Sequence, residues 1–511
     1  MRNLFLTFLA SLPLFGVDQP FAVAQSRAIE GLEASVEVQA SLSDGTTPLW
    51  LNANRYGLSS LDKANGYVRG AVARPLSADE GRTWGFGYGA DLAVTQGYTS
   101  RLVVQQLYAE GRYKRGTLTV GQRQQSLNLK PQELSTGGQT LGINARPVPG
   151  VRLGVEEYWP LPYTHQWVSF RGHIFYGRTT DGDWQRDYTA GRARCTDGVW
   201  LHTKAGFLRF GREDHPFSVE AGLEMADQFG GRSFNPDGSV SFDKEVSLKS
   251  FWYAFAGGTN DAESLENNTS REGNLLGSWL LRLNYDLPNY YIGLYADHFF
   301  EDESQMFFVD YDGYGTGSDW NTKKETQFLL YPLKDIQLGL EVKLKQFAPL
   351  NDIVVEFFNS TEQSGPVYHD HSPYIPDHIG GDDDYCNHLI YLSYSHWGQV
   401  MGNLLYKAPL YNEGTTLNVL NNRLTSWHLG LSGDPLPRLH YRVLATWQRG
   451  WGSYKNPFDH PAEAVSLLGE ASYDCSEWVR GLSLRLGVAM DRGDIYGDNF
   501  GTQLSVNWKI K

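Results

Sequence analysis

The sequence predicts an all-β chain that crosses a membrane as a closed barrel of antiparallel strands. Three observations carry that reading: an export signal with no membrane helix after it, an aromatic- and glycine-rich composition, and long stretches in which apolar and polar residues alternate.

The export signal comes first along the chain. "MRNLFLTFLASLPLFGVDQPFAVAQ" begins with Arg2, runs apolar from Leu4 to Val17 and reaches the small-x-small pattern Ala22-Val23-Ala24. That is the form of a secretory signal peptide, too short to span a bilayer as a helix. It assigns residues 1–24 to the signal and 25–511 to a single barrel domain. No cysteine follows the cut, so no lipid anchor is expected. No later stretch approaches the roughly 18 unbroken apolar residues of a membrane helix. The mature chain is therefore soluble and exported, or it crosses a membrane as strands.

Composition favours strands. The chain holds 29 Tyr, 25 Phe, 15 Trp and 55 Gly, and aromatic residues fit a pleated, half-buried surface. A net charge of −14 argues against nucleic-acid binding, and against simple attraction of acidic polymers. The three cysteines, Cys195, Cys386 and Cys475, can form at most one pair and do not stand at metal-ligand spacings.

The period along the chain is two. "IQLGLEVKL" sets Ile336, Leu338, Leu340, Val342 and Leu344 against Gln337, Gly339, Glu341 and Lys343. "LHYRVLATW" (Leu439–Trp447), "LSLRLGVAM" (Leu482–Met490) and "LSVNWKI" (Leu504–Ile510) alternate likewise. A soluble β-protein with one wet face would read similarly. The apolar faces, however, are long enough for a tilted transmembrane strand, and aromatics such as Trp447 and Trp508 close them where an interfacial girdle lies. The opposite faces carry charge (Glu110, Arg112, Lys343), which suits a wet lumen. Long polar segments (Asp181–Asp197, Asn260–Asn274, Glu301–Asn321, Ser360–Asn387) are interspersed with short turns such as Pro288-Asn289. The length admits roughly 18 to 22 strands. No separate N-terminal plug domain is visible.

The C-terminal third carries a resemblance. "EFFNSTEQSGPVYHDHSPYIPDHIGGDDDYCNH", "HWGQVMGNLLY", "NNRLTSWHLGLSG", "YRVLATWQRGWGSY" and "MDRGDIYGDNFG", with "TTPLWLNANRYGL" upstream, resemble the Bacteroidetes branch of the Wzi family of capsule assembly proteins. The likeness is dense from about Val354 to Gly501. It implies an 18-stranded outer-membrane barrel with a small helical part on the periplasmic side. It also implies a lectin-like, non-enzymatic role in fixing capsular polysaccharide to the cell surface. Residues matching the family blocks are His369, Asp370, Asp383, Tyr385, Asn387 and His388, then Asn422, Arg423 and His428, then Arg449 and Trp451, then Arg492, Asp498 and Asn499. With Trp397, these are the candidate carbohydrate-binding residues. Two departures stand out. "GNLL" (Gly402–Leu405) replaces an expected Gly-Asn-Pro-Leu, which loosens that turn, and the chain ends in Lys511 rather than an aromatic.

The segment Gly365–His388 admits four readings. His369 and His371 could share a zinc ion, but the helical His pair or Cys pairs of a zinc site are missing. Asp382-Asp383-Asp384 is oxygen-rich, but lacks the ligand spacing of an EF-hand. Ser364, His369 and Asp370 could serve hydrolysis, but no serine-elbow pattern surrounds them. The fourth reading, a structured loop at the barrel mouth, fits best. Gly380-Gly381 permits sharp turns, Pro366, Pro373 and Pro376 stiffen the loop, and Asp, Asn, His and Tyr offer sugars hydrogen bonds and a ring face. Such a loop could equally just fill the barrel. Elsewhere, Arg423, Arg449 and Arg492 could hold sugar carboxylates or pair with lumenal acids, and Trp397 and Trp451 could stack on sugars or belong to a girdle.

The expectation is an outer-membrane barrel that binds capsular or extracellular polysaccharide, touches outer-membrane lipid, needs no cofactor or metal, and works beside other capsule export components. The rivals are a porin-like channel and an outer-membrane hydrolase. A filled lumen opposes the channel.

Overall fold

The structure, a computed structural model, describes residues 28–256, 273–301, 308–329, 335–369, 371–377 and 379–510. The signal pattern, Asp370 and Lys511 lie outside the described residues, as do the side chains of residues 364–369.

Eighteen strands form one antiparallel sheet. They are β1 (Glu33–Asp44), β2 (Ala64–Arg74), β3 (Trp84–Gln96), β4 (Leu102–Tyr113), β5 (Gly116–Gln122) and β6 (Gly150–Pro160). Next come β7 (Val168–Arg178), β8 (Trp200–Phe210), β9 (Phe217–Phe229), β10 (Asn274–Asp286), β11 (Tyr290–Glu301) and β12 (Ile336–Leu344). The last six are β13 (Asp352–Asn359), β14 (Leu424–Leu436), β15 (Leu439–Gly452), β16 (Pro457–Asp474), β17 (Leu482–Gly493) and β18 (Asn499–Lys509). Each pairs with the next, and β18 returns to β1, with Lys509 opposite Ser35 and Phe500 opposite Asp44. Closure leaves no edge strand, the condition for a sheet to survive in hydrocarbon.

The alternation sorts as predicted. Val38 and Leu42 on β1, Val68 and Val72 on β2, Leu484, Leu486 and Val488 on β17 and Leu504 on β18 project outward and exposed. Gln39, Ser41, Asn65, Gln337 and Glu341 are buried on the inner face. Around one end stand exposed Trp84, Tyr113, Trp159, Phe210, Phe217, Tyr285, Trp478 and Trp508, and near the other Trp279, Trp427 and Phe500. An apolar band between two aromatic rings is the lipid-facing surface of a transmembrane barrel. Trp447 sits opposite Trp427. Strands are joined by short turns at one end (residues 114–115, 287–289, 437–438), where both termini also lie, and at the other by the long connections together with three short turns (97–101, 453–456, 494–498).

Among the described residues, three helices belong to long connections: α1 (Leu49–Asn52), α2 (Gly182–Thr189) and α3 (Leu248–Ala256). Among the described residues, the helical part expected beneath the short turns amounts to little. The described residues at that end hold only a helical start at 28–29 and the 3-10 turn Leu76–Asp79. Helix α3 instead lies against the outside of the barrel wall. The Tyr176 hydroxyl donates to the Phe251 carbonyl at 2.8 Å, and the Lys204 ammonium bonds the Phe255 carbonyl near the helix C-terminus, where a cation is favoured. His202 and Lys204 are in phase with outward-facing Leu208 and Phe210, so α3 shields polar wall residues from lipid. Its own Leu248 and Trp252 remain exposed.

Candidate functional site

The lumen is filled by the chain's own long connections. Residues 45–63, 123–149 and 383–423 fold inward, and Leu49, Trp50, Leu51, Leu134, Tyr385, Tyr394, Leu405 and Tyr406 form one apolar core with wall residues such as Phe299, Phe358, Leu444 and Leu468. Helix α1 shows how a wet loop is held there. The Leu49 N–H donates to Asp491 Oδ2 of β17 at 3.0 Å, and Trp50 Nε1 to Thr446 Oγ1 of β15 at 3.0 Å. A carboxylate at the free N–H groups of a helix start is favourable.

The segment 123–149 descends furthest. Lys130 forms an ion pair with Asp297 and donates to Gln337 at 2.8 Å. Glu356 of β13 accepts from Ser135 Oγ at 2.6 Å and from the Thr136 N–H at 2.8 Å. The Glu133 carbonyl accepts from Arg442 at 3.0 Å, near the short-turn end of β15. Gly430 permits this passage: a Cβ there would lie 2.7 Å from the Leu134 carbonyl oxygen. At Gly402 the same limit applies, since a Cβ would lie 2.2 Å from the Gln139 carbonyl oxygen. The turn Gly402–Leu405 is not loosened by Leu404. Asn403 Oδ1 accepts from the Leu405 N–H at 3.0 Å, and Asn403 Nδ2 donates to the Gly137 carbonyl at 2.9 Å.

The plug claims five predicted sugar contacts. Tyr385 donates to Asp335 Oδ2 at 3.0 Å, and Asn387 exchanges bonds with Asp384 and Val419. Asn422 donates to Asp384 Oδ1 at 2.6 Å and to the Tyr385 carbonyl at 2.8 Å. His428 joins Thr446 to Leu134, and Asn499 accepts from the Thr46 N–H at 2.8 Å. All five are buried. They are braces within the plug (Tyr385, Asn387, Asn422) or between plug and wall (His428, Asn499), because the same donors and acceptors that suit a sugar also satisfy buried backbone. Asp383 accepts from the Asp384 N–H at 2.8 Å in the same brace region and is half-buried.

The remaining candidates stand apart from one another. The Arg146 guanidinium lies 4.1 Å from the Trp397 ring centroid, and that of Arg423 3.8 Å from the Tyr454 ring. Exposed Arg449 lies beside Trp451 and 3.7 Å from Glu463, and Arg492 pairs with Asp498 at 2.9 Å on an exposed turn. Arg449 and Arg492 are in phase with lipid-facing Trp427 and Val488, so they sit on the outside of the rim. His369 is in a two-stranded ribbon with residues 379–382.

His388 lines a pocket of about 300 Å³ on the long-loop side, with Arg194, Asp384, Asn387, Asn418, Lys455 and Asn456 around it. Lys455 is 68% exposed and stands 3.6 Å from Asp384. The His388 ring stacks on Tyr391 at 5.0 Å, and its Nδ1 accepts from the Ile390 N–H at 3.1 Å. Burial, with Lys455 second, holds the imidazole pKa down to about 4. It is therefore a neutral donor–acceptor at ordinary pH. Arg194 and Lys455 escape sequence reading because no local pattern marks them.

These features define a transmembrane β-barrel of the outer-membrane type, closed inside by its own loops. No family model matches the chain, and no curated protein matches it. Among solved structures it is similar to the outer membrane protein OprD of Pseudomonas aeruginosa, with 11% identity, 94% of each chain covered and a TM-score of 0.45. It is also similar to OccK3 (OpdO) of the same organism, with 11% identity, 96% of this chain and 99% of that one covered and a TM-score of 0.46. The likeness is one of fold.

Proposed function

We propose that the chain is a non-enzymatic outer-membrane protein that binds surface polysaccharide at its long-loop mouth and so helps hold a capsule to the cell. The filled lumen carries this reading. Buried braces close the barrel, while the polar pocket at His388 stays accessible outside it. That pocket offers Asn418, Asn456 and neutral His388 to hydroxyls, and Arg194 and Lys455 to acidic groups; such convergent polar groups in a concave site suit small polar ligands. The resemblance to the Wzi family supports capsular polymer as the ligand, with outer-membrane lipid and other export components as partners.

A porin-like channel is the second reading. It is favoured by two lumenal cavities, of about 430 and 140 Å³, that share Tyr56 as a wall. The shared fold with OprD does not choose between the two. Conductance does. Purified protein in planar bilayers is expected to stay closed, while cells carrying Arg194→Gln with Lys455→Gln shed capsule at normal protein level. Persistent open channels in the unaltered protein, together with intact capsule in the variant, establish the channel instead.

A further inference from the structure

The cavity of about 430 Å³ lies in the lumen below the plug. Residues 51–58 of the plug roof it. Ser472, Ser483, Asn507 and Lys509, near the short-turn ends of β16, β17 and β18, line its lower part. It therefore opens toward the rim where the termini lie, the periplasmic side of an outer-membrane barrel.

Its charge is opposite to that of the chain. Arg55, Arg69, Arg485 and Lys509 line it, against a single acidic lining residue, Glu37. Two of the cations are fixed. Arg69 Nε donates to Asp91 at 2.7 Å, and Arg55 shares Glu470 with Arg442 at 3.2 and 2.9 Å. Arg485 makes a 3.3 Å bond to Ser472 Oγ and shares the field of Glu470 with Arg442 and Arg55, and neither it nor Lys509 forms an ion pair within 4 Å among the described residues. Counting these partners, five cations face three carboxylates, in a protein of net charge −14.

The remaining wall is neutral and polar. Gln503, Ser483 and Asn507 line it, and Asn507 Oδ1 is buried with no hydrogen-bond partner among the described residues. A buried acceptor without a donor is costly, and a ligand hydroxyl would relieve it. Tyr67 and Tyr56 supply ring faces. Cations alone would suit any anion. Cations beside amides, hydroxyls and rings suit an anion that also carries hydroxyls and an apolar ring face.

We propose that this chamber binds an acidic sugar of the uronate type, entering from the periplasmic side. The site is separate from the His388 pocket and does not depend on the choice between binder and channel.

The test reads a probe inside the chamber, where binding at the outer pocket has no effect. Ser483→Cys in the full-length protein, in detergent, provides a thiol; the native cysteines are all buried. The thiol is expected to react faster with an anionic methanethiosulfonate than with a cationic one. Digalacturonate should slow the reaction saturably. Adding Arg485→Gln and Lys509→Gln should raise the digalacturonate concentration needed for protection at least ten-fold. Heat-modifiable migration checks folding, and Asn507→Cys replaces Ser483→Cys if the latter does not fold. Absence of protection at millimolar digalacturonate overturns the proposal. So does equal protection by inorganic phosphate, which would show a site that reads charge alone.

Discussion

His428 Nε2, on β14, lies 2.7 Å from the carbonyl oxygen of Leu134 at the turn of the deepest plug segment. A carbonyl only accepts, so Nε2 carries the proton and Nδ1 is the acceptor. Thr446 must then donate its hydroxyl to Nδ1, at 2.8 Å, which leaves its oxygen to accept from Trp50 Nε1. One histidine thus locks two plug segments to two strands in a single hydrogen-bond direction.

Replacing His428 by Ala leaves the buried Leu134 carbonyl unpaired, a cost of about 1–3 kcal/mol. The barrel itself keeps its strand pairing. The expected outcome is unchanged heat-modifiable migration with new proteolytic cleavage within residues 123–149. Loss of the protein from the membrane, or unchanged protection of that segment, contradicts this assignment.

Gly430→Leu tests the plug by sterics. Its side chain claims the space of Leu134, whose Cβ lies 2.8 Å from where a Cβ on residue 430 would be. The segment must lift, and current steps absent from the parent protein should appear in planar bilayers. A silent, folded variant would mean that other contacts alone seal the lumen.

The barrel was legible because each strand face meets a different solvent, and a period of two records that difference residue by residue. The plug has no such signature. Trp50 and Thr446 are 396 positions apart, and nothing local to either announces the pairing. Its clues were small: the apolar run Leu49-Trp50-Leu51 in a connection that otherwise reads as wet, and Gly430 inside a strand. Asn387, Asn422 and His428 read as sugar contacts because amide and imidazole groups serve a buried carbonyl as well as a hydroxyl.

Asp79, in the turn after β2, accepts from Arg74 Nη1 at 3.0 Å and from the Phe86 N–H at 3.1 Å. The Arg74 bond is the main cause that holds its carboxyl well below the usual range. A depressed folded-state pKa stabilises the fold above the unfolded value of roughly 4 and is lost as pH falls below it. Acid should therefore lower the unfolding midpoint of the parent more steeply than that of Asp79→Asn, with the two curves converging below about pH 3. Parallel curves over this range would remove Asp79 as the cause.

His388 titrates with the same outward sign by a different route. Its folded pKa of about 4 lies below that of an exposed imidazole, so protonation favours the opened loop. The local structure is complete above pH 6.5 or thereabouts and weakens as pH falls toward 4. Histidine-selective NMR should place the His388 resonance among those titrating near pH 4, and His388→Gln should delete that resonance. A His388 resonance titrating near 6.5 would show a solvent-exposed ring instead.

The bond from the Thr46 N–H to Asn499 and that from the Leu49 N–H to Asp491 join the first long connection to the last two strands. The plug therefore has an order of assembly built into it. Its first segment emerges early in synthesis, but its anchors come at the chain's end and face inward only once β18 has met β1. Contacts of such sequence separation form late. A chain stopped before β17 would carry an unseated plug, so seating is a record of completed insertion.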